Sequence, residues 1–496
     1  GPRESAEGHM AAPVVGKLSF RGSMWQFDDL RPDVRGRLKR VFPRADPAGL
    51  SIRLSANPVV SSEIIWFCSR FRMLISDEDR ARLDRLGATH EANQSSIMEA
   101  LDSNYERPVL AMAKPARPYQ DQAAELAART GGTLVGDELG LGKTVTAIAL
   151  LARQGRLPAT VVVQPNLLKQ WERRINEFLP MATVHLIKSS VKSESSRRTS
   201  ARLAADIVLV SYGRLDAWSD LLRSRTLIFD EIHELRHKGT AKYSAAFEIR
   251  DHADVCMGLS ATPIWNYGGE FFNVFGIVRP GALGTREEFM QEWCTSGGGD
   301  QPRLRDPESF GAWVRSEGLM IRRSRRDVGR ELPAIVRTII NLNIDDAESS
   351  DFEACAWRAL YGARKDRFRA RGEFDARLRQ WTGVAKAPAV ADFVDSMIAE
   401  HGEPVVLTGW HRSVYDIWLR RLERWSPVMY TGTENAAAKD RSFDALRTGS
   451  SKVMLMSIRS GQGLDGLQGT CHRIVHGELD WSPWAHRQAT GRPHRD

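Results

Sequence analysis

The stretch Gly136-Asp137-Glu138-Leu139-Gly140-Leu141-Gly142-Lys143-Thr144 constrains this chain more than any other. An apolar run ending Thr133-Leu134-Val135 precedes it and a helix-forming run, Val145 to Leu151, follows, so the order is strand, glycine-rich turn, helix. A phosphate cradle requires that order. Glycines such as Gly140 and Gly142 let successive backbone N–H groups turn inward, and the helix N-terminus adds positive partial charge. Lys143 is placed to reach terminal phosphates and Thr144 to hold a magnesium ion. One position departs from the general pattern: Asp137 stands where a glycine is expected, five residues before Gly142.

A chain of 496 residues has room for two to three domains with cores of their own. Its 70 basic against 62 acidic side chains give +8, and 57 of the basic residues are arginine. That excess suits a polyanionic partner, though it is thinly spread. Arginine and alanine richness points to a GC-rich genome, bacterial or viral. The five cysteines, Cys68, Cys256, Cys294, Cys355 and Cys471, lack paired-ligand spacing, which fits a reducing compartment without structural zinc. No apolar run is long enough for a membrane span. Residues 1–9 read as a cleavage and cloning remnant, leaving Met10 as the natural start.

Region 10–113 carries no chemical motif and reads as a small α+β accessory domain. Leu50 to Leu54 alternates like a strand and Phe71 to Ile75 is a second candidate. Ser76, followed by Asp77-Glu78-Asp79, caps a helix expected to run to Leu86 and stop at Gly87. The Arg35 to Arg44 cluster could touch nucleic acid, with a solvated basic face as the favoured reading. Arg117-Pro118-Tyr119-Gln120 then opens a helix upstream of the phosphate loop, where Tyr119 could stack on adenine and Gln120 bond its edge.

Strands alternate with helices after the loop, the signature of a parallel sheet with crossover helices. Gln164, Ser211 and Tyr212 emerge at carboxyl ends of strands, where such sheets bind ligands, and are candidate nucleic-acid contacts. The strand Leu227-Ile228-Phe229 ends in Asp230-Glu231, and paired carboxylates there are costly unless their charge is used. Asp230 would hold magnesium and Glu231 would polarise the attacking water, with His233 as a relay. Ser260 and Thr262, in Ser260-Ala261-Thr262-Pro263, are its expected partners in coupling.

In this order the segments resemble the Swi/Snf-type ATPases of helicase superfamily two, and Trp381 to Lys386 with Gly477-Glu478-Leu479 before Asp480-Trp481 look most like the annealing-helicase, fork-remodelling branch and its small prokaryotic and phage relatives. The matching pieces are Arg117 to Gln120, Asp137 to Thr144, Gln164-Pro165 with Gln170-Trp171, Asp230 to His233, and Ser260 to Asn266. Further on come Met320 to Val328 with Glu331-Leu332-Pro333, Ser460 to Leu464, Trp481 to Trp484, and Gln488 to Arg495. In this branch Asp137 is no departure.

The resemblance implies an α/β chain of two tandem RecA-like P-loop lobes, 114–335 and 336–496, and covers Ala116 to Asp496. It implies ATP and Mg2+ as cofactors, Gly463 as a nucleotide contact, and Arg492 and Arg495 as arginine fingers reaching across the cleft. Gln488 joins the coupling residues, and Ser457 and Trp481 join the nucleic-acid contacts. Met320 to Val328 with Glu331-Leu332-Pro333 looks like the segment that joins the two lobes; from its residues alone it is an arginine run flanking a lobe boundary, for which a solvated hinge is the bland reading. Asp465 and Ser482 each replace an asparagine of the family pattern. The chain stops one residue after Arg495, as a truncated or minimal member would.

The implied activity is a DNA-dependent ATPase that translocates on double-stranded or branched DNA with little sequence preference, as a monomer in the cytoplasm, outside membranes. Two alternatives stay open: a strand-separating DNA or RNA helicase, and an ATP-gated module acting on a protein partner such as RNA polymerase.

Overall fold

The computed structural model describes residues 13–46, 48–49, 51–189, 203–261, 267–295, 302–329, 339–340, 364–457 and 467–479. For 364–377 and Gln468 only the backbone course is described. The chain divides into two compact units, Gly1–Val328 and Gly329–Asp496.

The first unit opens with a four-stranded sheet built from β1 (Gly16–Arg21), β2 (Met24–Asp28), β3 (Ile52–Ser55) and β4 (Met73–Leu74), in the order β3-β2-β1-β4. In β3, Ile52 and Leu54 are buried and Arg53 is exposed, the alternation expected of a sheet with one covered face. Trp25, Phe27, Phe42 and Phe67 fill the core under that face. Of the candidate strand Phe71 to Ile75 only β4 forms, and Leu74 points to solvent.

The helix that Ser76 caps does not stop at Gly87. It runs from Asp77 to Leu101, and the Ser76 side chain accepts from the Asp79 amide. Gly87 is a packing position instead: a Cβ there would lie 2.3 Å from Ile65 Cδ1, so the missing side chain lets this helix approach the helix Pro58–Cys68. Close approach, not termination, is what the glycine provides.

The main sheet of the first unit has seven parallel strands: β5 (Gly132–Val135), β6 (Ala159–Val163), β7 (Val184–Leu186), β8 (Ile207–Ser211), β9 (Thr226–Asp230), β10 (Val255–Leu259) and β11 (Met320–Ile321). Their order is β11-β5-β10-β9-β6-β8-β7. Successive residues feed opposite faces: Val162, Val210 and Phe229 join one core cluster, while Val161, Val163, Leu209 and Ile228 join the other. Burial on both faces explains why these strands read as unbroken apolar runs.

The second unit holds four parallel strands, β12 (Val405–Gly409), β13 (Val428–Tyr430), β14 (Val453–Ser457) and β15 (Arg473–His476), in the order β13-β14-β12-β15. The helix Arg364–His401 packs its later turns on this sheet through Val390, Val394 and Ile398. Trp418, fully buried, donates from Nε1 to the Ala387 carbonyl at 3.1 Å. Arg364 to Arg371, basic at nearly every second position and readable from sequence as a duplex-backbone contact or equally as a solvated helix, lies where side chains are not described. The seven-stranded sheet of the first unit and the sheet of the second are thus parallel α/β layers, while β1, β2 and β3 pair antiparallel, and no described helix is long and apolar enough to cross a membrane.

Candidate active site

Register builds the site. β10 lies between β5 and β9, and its last residue, Leu259, pairs with Val135 on one side and Asp230 on the other. The glycine loop, Ser260 and the acid pair therefore leave the sheet side by side at its carboxyl edge.

The loop turns on Gly140 and Gly142, with φ of 89° and 71°. Gly142 then caps the helix Lys143–Leu151, and as a glycine it brings no side chain of its own to the first amides of that helix. Thr144 sits half-buried in the first turn. The Lys143 ammonium donates to the Asp137 carbonyl at 2.8 Å, within the loop it would serve.

Tyr119 and Gln120 brace the far side of the loop. The Tyr119 hydroxyl and the Gln120 amide both donate to the Leu141 carbonyl, at 2.9 and 3.0 Å. Gln120 Oε1 accepts from the Arg117 amide at 2.9 Å, completing a helix cap. A Cβ on Gly142 would stand 2.5 Å from Gln120 Nε2, so the two positions fit only as a pair.

Asp230 ends β9. Its carboxylate accepts from Trp171 Nε1 at 2.9 Å and from the Glu231 amide at 3.1 Å. Burial, then the charge of Glu231, pushes its carboxyl up to about 6, against the opposing pull of Trp171 and Lys143. Glu231 has a positive φ of 50°, a left-handed conformation rare for a side chain of this kind and often met at functional sites. His233 Nδ1 lies 3.3 Å from Glu231 Oε2 and 3.3 Å from Ser260 Oγ, and burial lowers the imidazole pKa. The expected relay His233 thus meets both its partner Ser260 and Glu231 of the acid pair.

The remaining sequence candidates divide. Gln164, half-buried at the end of β6, hydrogen-bonds to Glu234, just past the acid pair. Ser457 ends β14 in the second unit, half-buried. Ser211 and Tyr212 correct the expectation of nucleic-acid contacts: they are 2% and 4% exposed. The Tyr212 hydroxyl turns inward to the Asp230 carbonyl at 2.8 Å, and its ring stacks on Phe229. Emerging at a strand end does not decide which way a side chain points, and an aromatic over a parallel sheet packs inward. Thr262, Gly463, Trp481, Gln488, Arg492 and Arg495 lie outside the described residues.

Two features were not foreseen. Trp171 holds Asp230; a signal was present, since Leu168, Trp171, Ile175 and Phe178 share one buried helix face and a buried indole N–H needs an acceptor. The arginine run after β11 does not behave as a hinge at its start. β11 joins the main sheet beside β5, and Arg323 and Arg325 bond to the phosphate loop.

The site fits a magnesium nucleotide. Positive-φ glycines shape the cradle, a helix start faces it, and the crowded charge of Asp230 and Glu231 is of the kind a divalent cation relieves. Magnesium needs few protein ligands, because substrate phosphates and waters complete its shell.

A glycine loop opening a helix, with an acid pair two strands away in an all-parallel sheet, defines a RecA-like P-loop nucleoside triphosphatase. The chain belongs to the family of the SNF2-related domain, whose model matches residues 65–380. That match begins within the helix Pro58–Cys68, so the likeness reaches into the accessory region instead of starting at Ala116.

Among curated relatives, the chain is 24% identical over 401 residues to an uncharacterised ATP-dependent helicase of Mycoplasma genitalium, covering 73% of this chain and 37% of that protein. It is 23% identical to the DNA annealing helicase and endonuclease ZRANB3 of Bos taurus, over 76% of this chain and 37% of that protein. The uncharacterised ATP-dependent helicase YqhH of Bacillus subtilis is 23% identical, with 76% and 72% covered. The chain thus spans well under half the length of the first two. A solved SWI2/SNF2 ATPase core of Sulfolobus solfataricus in complex with dsDNA is similar at 17% identity and a TM-score of 0.41, covering 75% of this chain and 83% of that one.

Proposed function

We propose that this protein is a DNA-stimulated ATPase that uses ATP hydrolysis to move along duplex or branched DNA and to remodel it. The observation that carries the reading is the shared edge of β5, β10 and β9, where His233 joins Glu231 to Ser260 beside the phosphate loop. Kinship with proteins named as ATP-dependent and DNA annealing helicases supports DNA as the track.

In this reading Lys143 and the loop amides hold the phosphates of ATP, and Thr144 and Asp230 hold Mg2+, which would neutralise charge on the phosphates. Trp171 keeps the Asp230 carboxylate ionised and oriented. Glu231, fixed in its left-handed turn, accepts a proton from the attacking water. His233 senses that event through Glu231 and passes it to Ser260, at the head of the segment leading into Thr262. Arg492 and Arg495 remain the assigned phosphate-contacting arginines, and Gln488 a coupling residue. DNA contacts through Gln164, Ser457 and Trp481 would be chiefly to the backbone, so sequence preference would be slight.

The test is steady-state ATP hydrolysis with no nucleic acid, single-stranded DNA, blunt duplex, forked DNA and duplex RNA, with Glu231→Gln as control. Stimulation by duplex or forked DNA, reduced by about 100-fold or more in Glu231→Gln, is expected. A response confined to RNA, or none to any nucleic acid, would sink the reading. Unwinding of a tailed duplex would favour a strand-separating helicase.

A further inference from the structure

The carboxylate of Asp137 is fully buried inside the phosphate loop, and its partner comes from the far end of the unit. Arg323 Nε donates to Oδ1 at 3.0 Å, Nη2 to Oδ2 at 2.5 Å, and the Arg323 amide to Oδ1 at 3.0 Å. The same guanidinium donates from Nη1 to the Tyr119 carbonyl, and its carbon lies 5.2 Å from the centre of the Tyr119 ring. One cation therefore ties the loop to the helix start expected to face adenine.

Arg325 takes the other half of the loop. Its Nε and Nη2 donate to the Leu139 carbonyl at 3.1 and 2.8 Å, and its amide to Glu138 Oε2 at 2.8 Å. A Cβ at Gly140 would stand 2.9 Å from Arg325 Nη2, so the guanidinium lies directly over that glycine. Backbone pairing continues beneath: the Gly136 amide bonds to the Ile321 carbonyl at 2.8 Å and the Glu138 amide to the Arg323 carbonyl at 2.9 Å.

A phosphate cradle works only when its carbonyls face away and its amides face in. Lys143 donates to the Asp137 carbonyl, and with three N–H donors its ammonium can keep that bond and still meet a phosphate. The bonds from Arg323 and Arg325 hold the loop independently of Lys143. Preorganised loops bind more tightly because their ordering cost is met before the ligand arrives.

We propose that Arg323 and Arg325 are positioning residues for the phosphate loop, so that nucleotide affinity is set by the segment that runs directly into the second unit. The inference rests on the reading of this loop as an ATP site. The next two residues of the run differ in kind: Arg326 and Asp327 are exposed, and the Asp327 carboxylate accepts from Ser324 within its own turn.

The experiment is isothermal titration of the full chain with ADP and Mg2+, alongside melting of the nucleotide-free protein and the KM and kcat for ATP. Arg323→Lys, Arg325→Ala and Asp137→Asn are the variants, with Arg421→Ala as an outside control. Arg323→Lys and Arg325→Ala should each weaken ADP binding by about tenfold or more. KM for ATP should rise by a similar factor while kcat stays within about threefold, because the loop is misplaced without loss of a reacting group. Asp137→Asn combined with Arg323→Lys should weaken binding by less than the product of the single effects, as groups in one network do. Arg325→Ala leaves the Arg323–Asp137 pair intact and keeps the inference open to test if Arg323 variants do not fold. A lowered melting temperature with unchanged ADP affinity would make the arginines merely structural and overturn the proposal. Failure of the parent protein to bind ADP would instead overturn the ATP reading.

Discussion

Asp137 and Glu478 occupy matching places in the two units. Each lies two residues past the end of a parallel strand, β5 or β15, and each is buried. Their partners differ. Asp137 is met by the guanidinium of Arg323, whereas Glu478 Oε2 accepts from the Trp410 and His411 amides at 2.6 and 2.9 Å, and its Oε1 lies 2.5 Å from His411 Nδ1. In the second unit a carboxylate occupies the start of the helix Arg412–Arg421, where an anion is favoured by the helix dipole. In the first unit the carboxylate is neutralised sideways, and the start of the helix Lys143–Leu151 is left without a capping side chain. The difference is one of capping: among the described residues the helix after the glycine loop has a glycine at its cap, whereas the second unit sets an internal acid at the start of its own helix.

The largest effect that could break this comparison comes from Arg323→Ala. It strands a buried carboxylate and should destabilise the first unit by about 3–5 kcal/mol, read by denaturant unfolding. Glu478→Ala comes next. It leaves two amides and an imidazole without their acceptor and should cost about 2–3 kcal/mol, with ADP affinity within about twofold of the parent. If Glu478→Ala weakened ADP binding as much as Arg323→Ala, the two acids would share one role and the distinction would fail.

Trp171→Phe sharpens the picture on the phosphate side. Asp230 has its carboxyl raised from 3.8 to about 6, chiefly by burial and then by Glu231. Its ionised form is the one that holds a cation, so Mg2+-dependent ADP binding should weaken as pH falls through about 6. Trp171 donates to that ionised form, and losing the bond, about 1.5–3 kcal/mol for a charged acceptor, should move the fall to higher pH. An unshifted pH profile in Trp171→Phe would remove the indole from the site. The smallest effect should be Gly87→Ala, at roughly 1 kcal/mol, because the clash falls on the end of the flexible Ile65 side chain. It should leave ADP binding untouched.

That Lys143 and Thr144 open a helix and that Asp230 and Glu231 stand at a strand end was legible, because each belongs to a short pattern whose flanks announce strand or helix. The parallel sheet was legible because strands covered on both faces read as apolar runs, as in Val161 to Val163. Direction was not. Ser211 and Tyr212 leave a strand at the ligand-binding edge, yet packing against Phe229 turned the ring inward, and no local pattern encodes that choice. Gly87 carried a stop signal that tertiary packing used for close approach. The bond from Arg323 to Asp137 spans 186 residues, and nothing near either residue names the other.

The place of β11 also has a consequence for the order in which the molecule is made. A ribosome delivers the glycine loop early and its clamp last, since Met320–Ile321 pairs with β5 only after every other strand of the first unit has been synthesised. Until then the nucleotide strand is an open edge, free to pair wrongly. A nascent or proteolysed fragment ending before residue 320 would carry the glycine loop, the Asp230-Glu231 pair and Ser260 and still lack Arg323 and Arg325, so nucleotide binding should emerge only with completion of the unit.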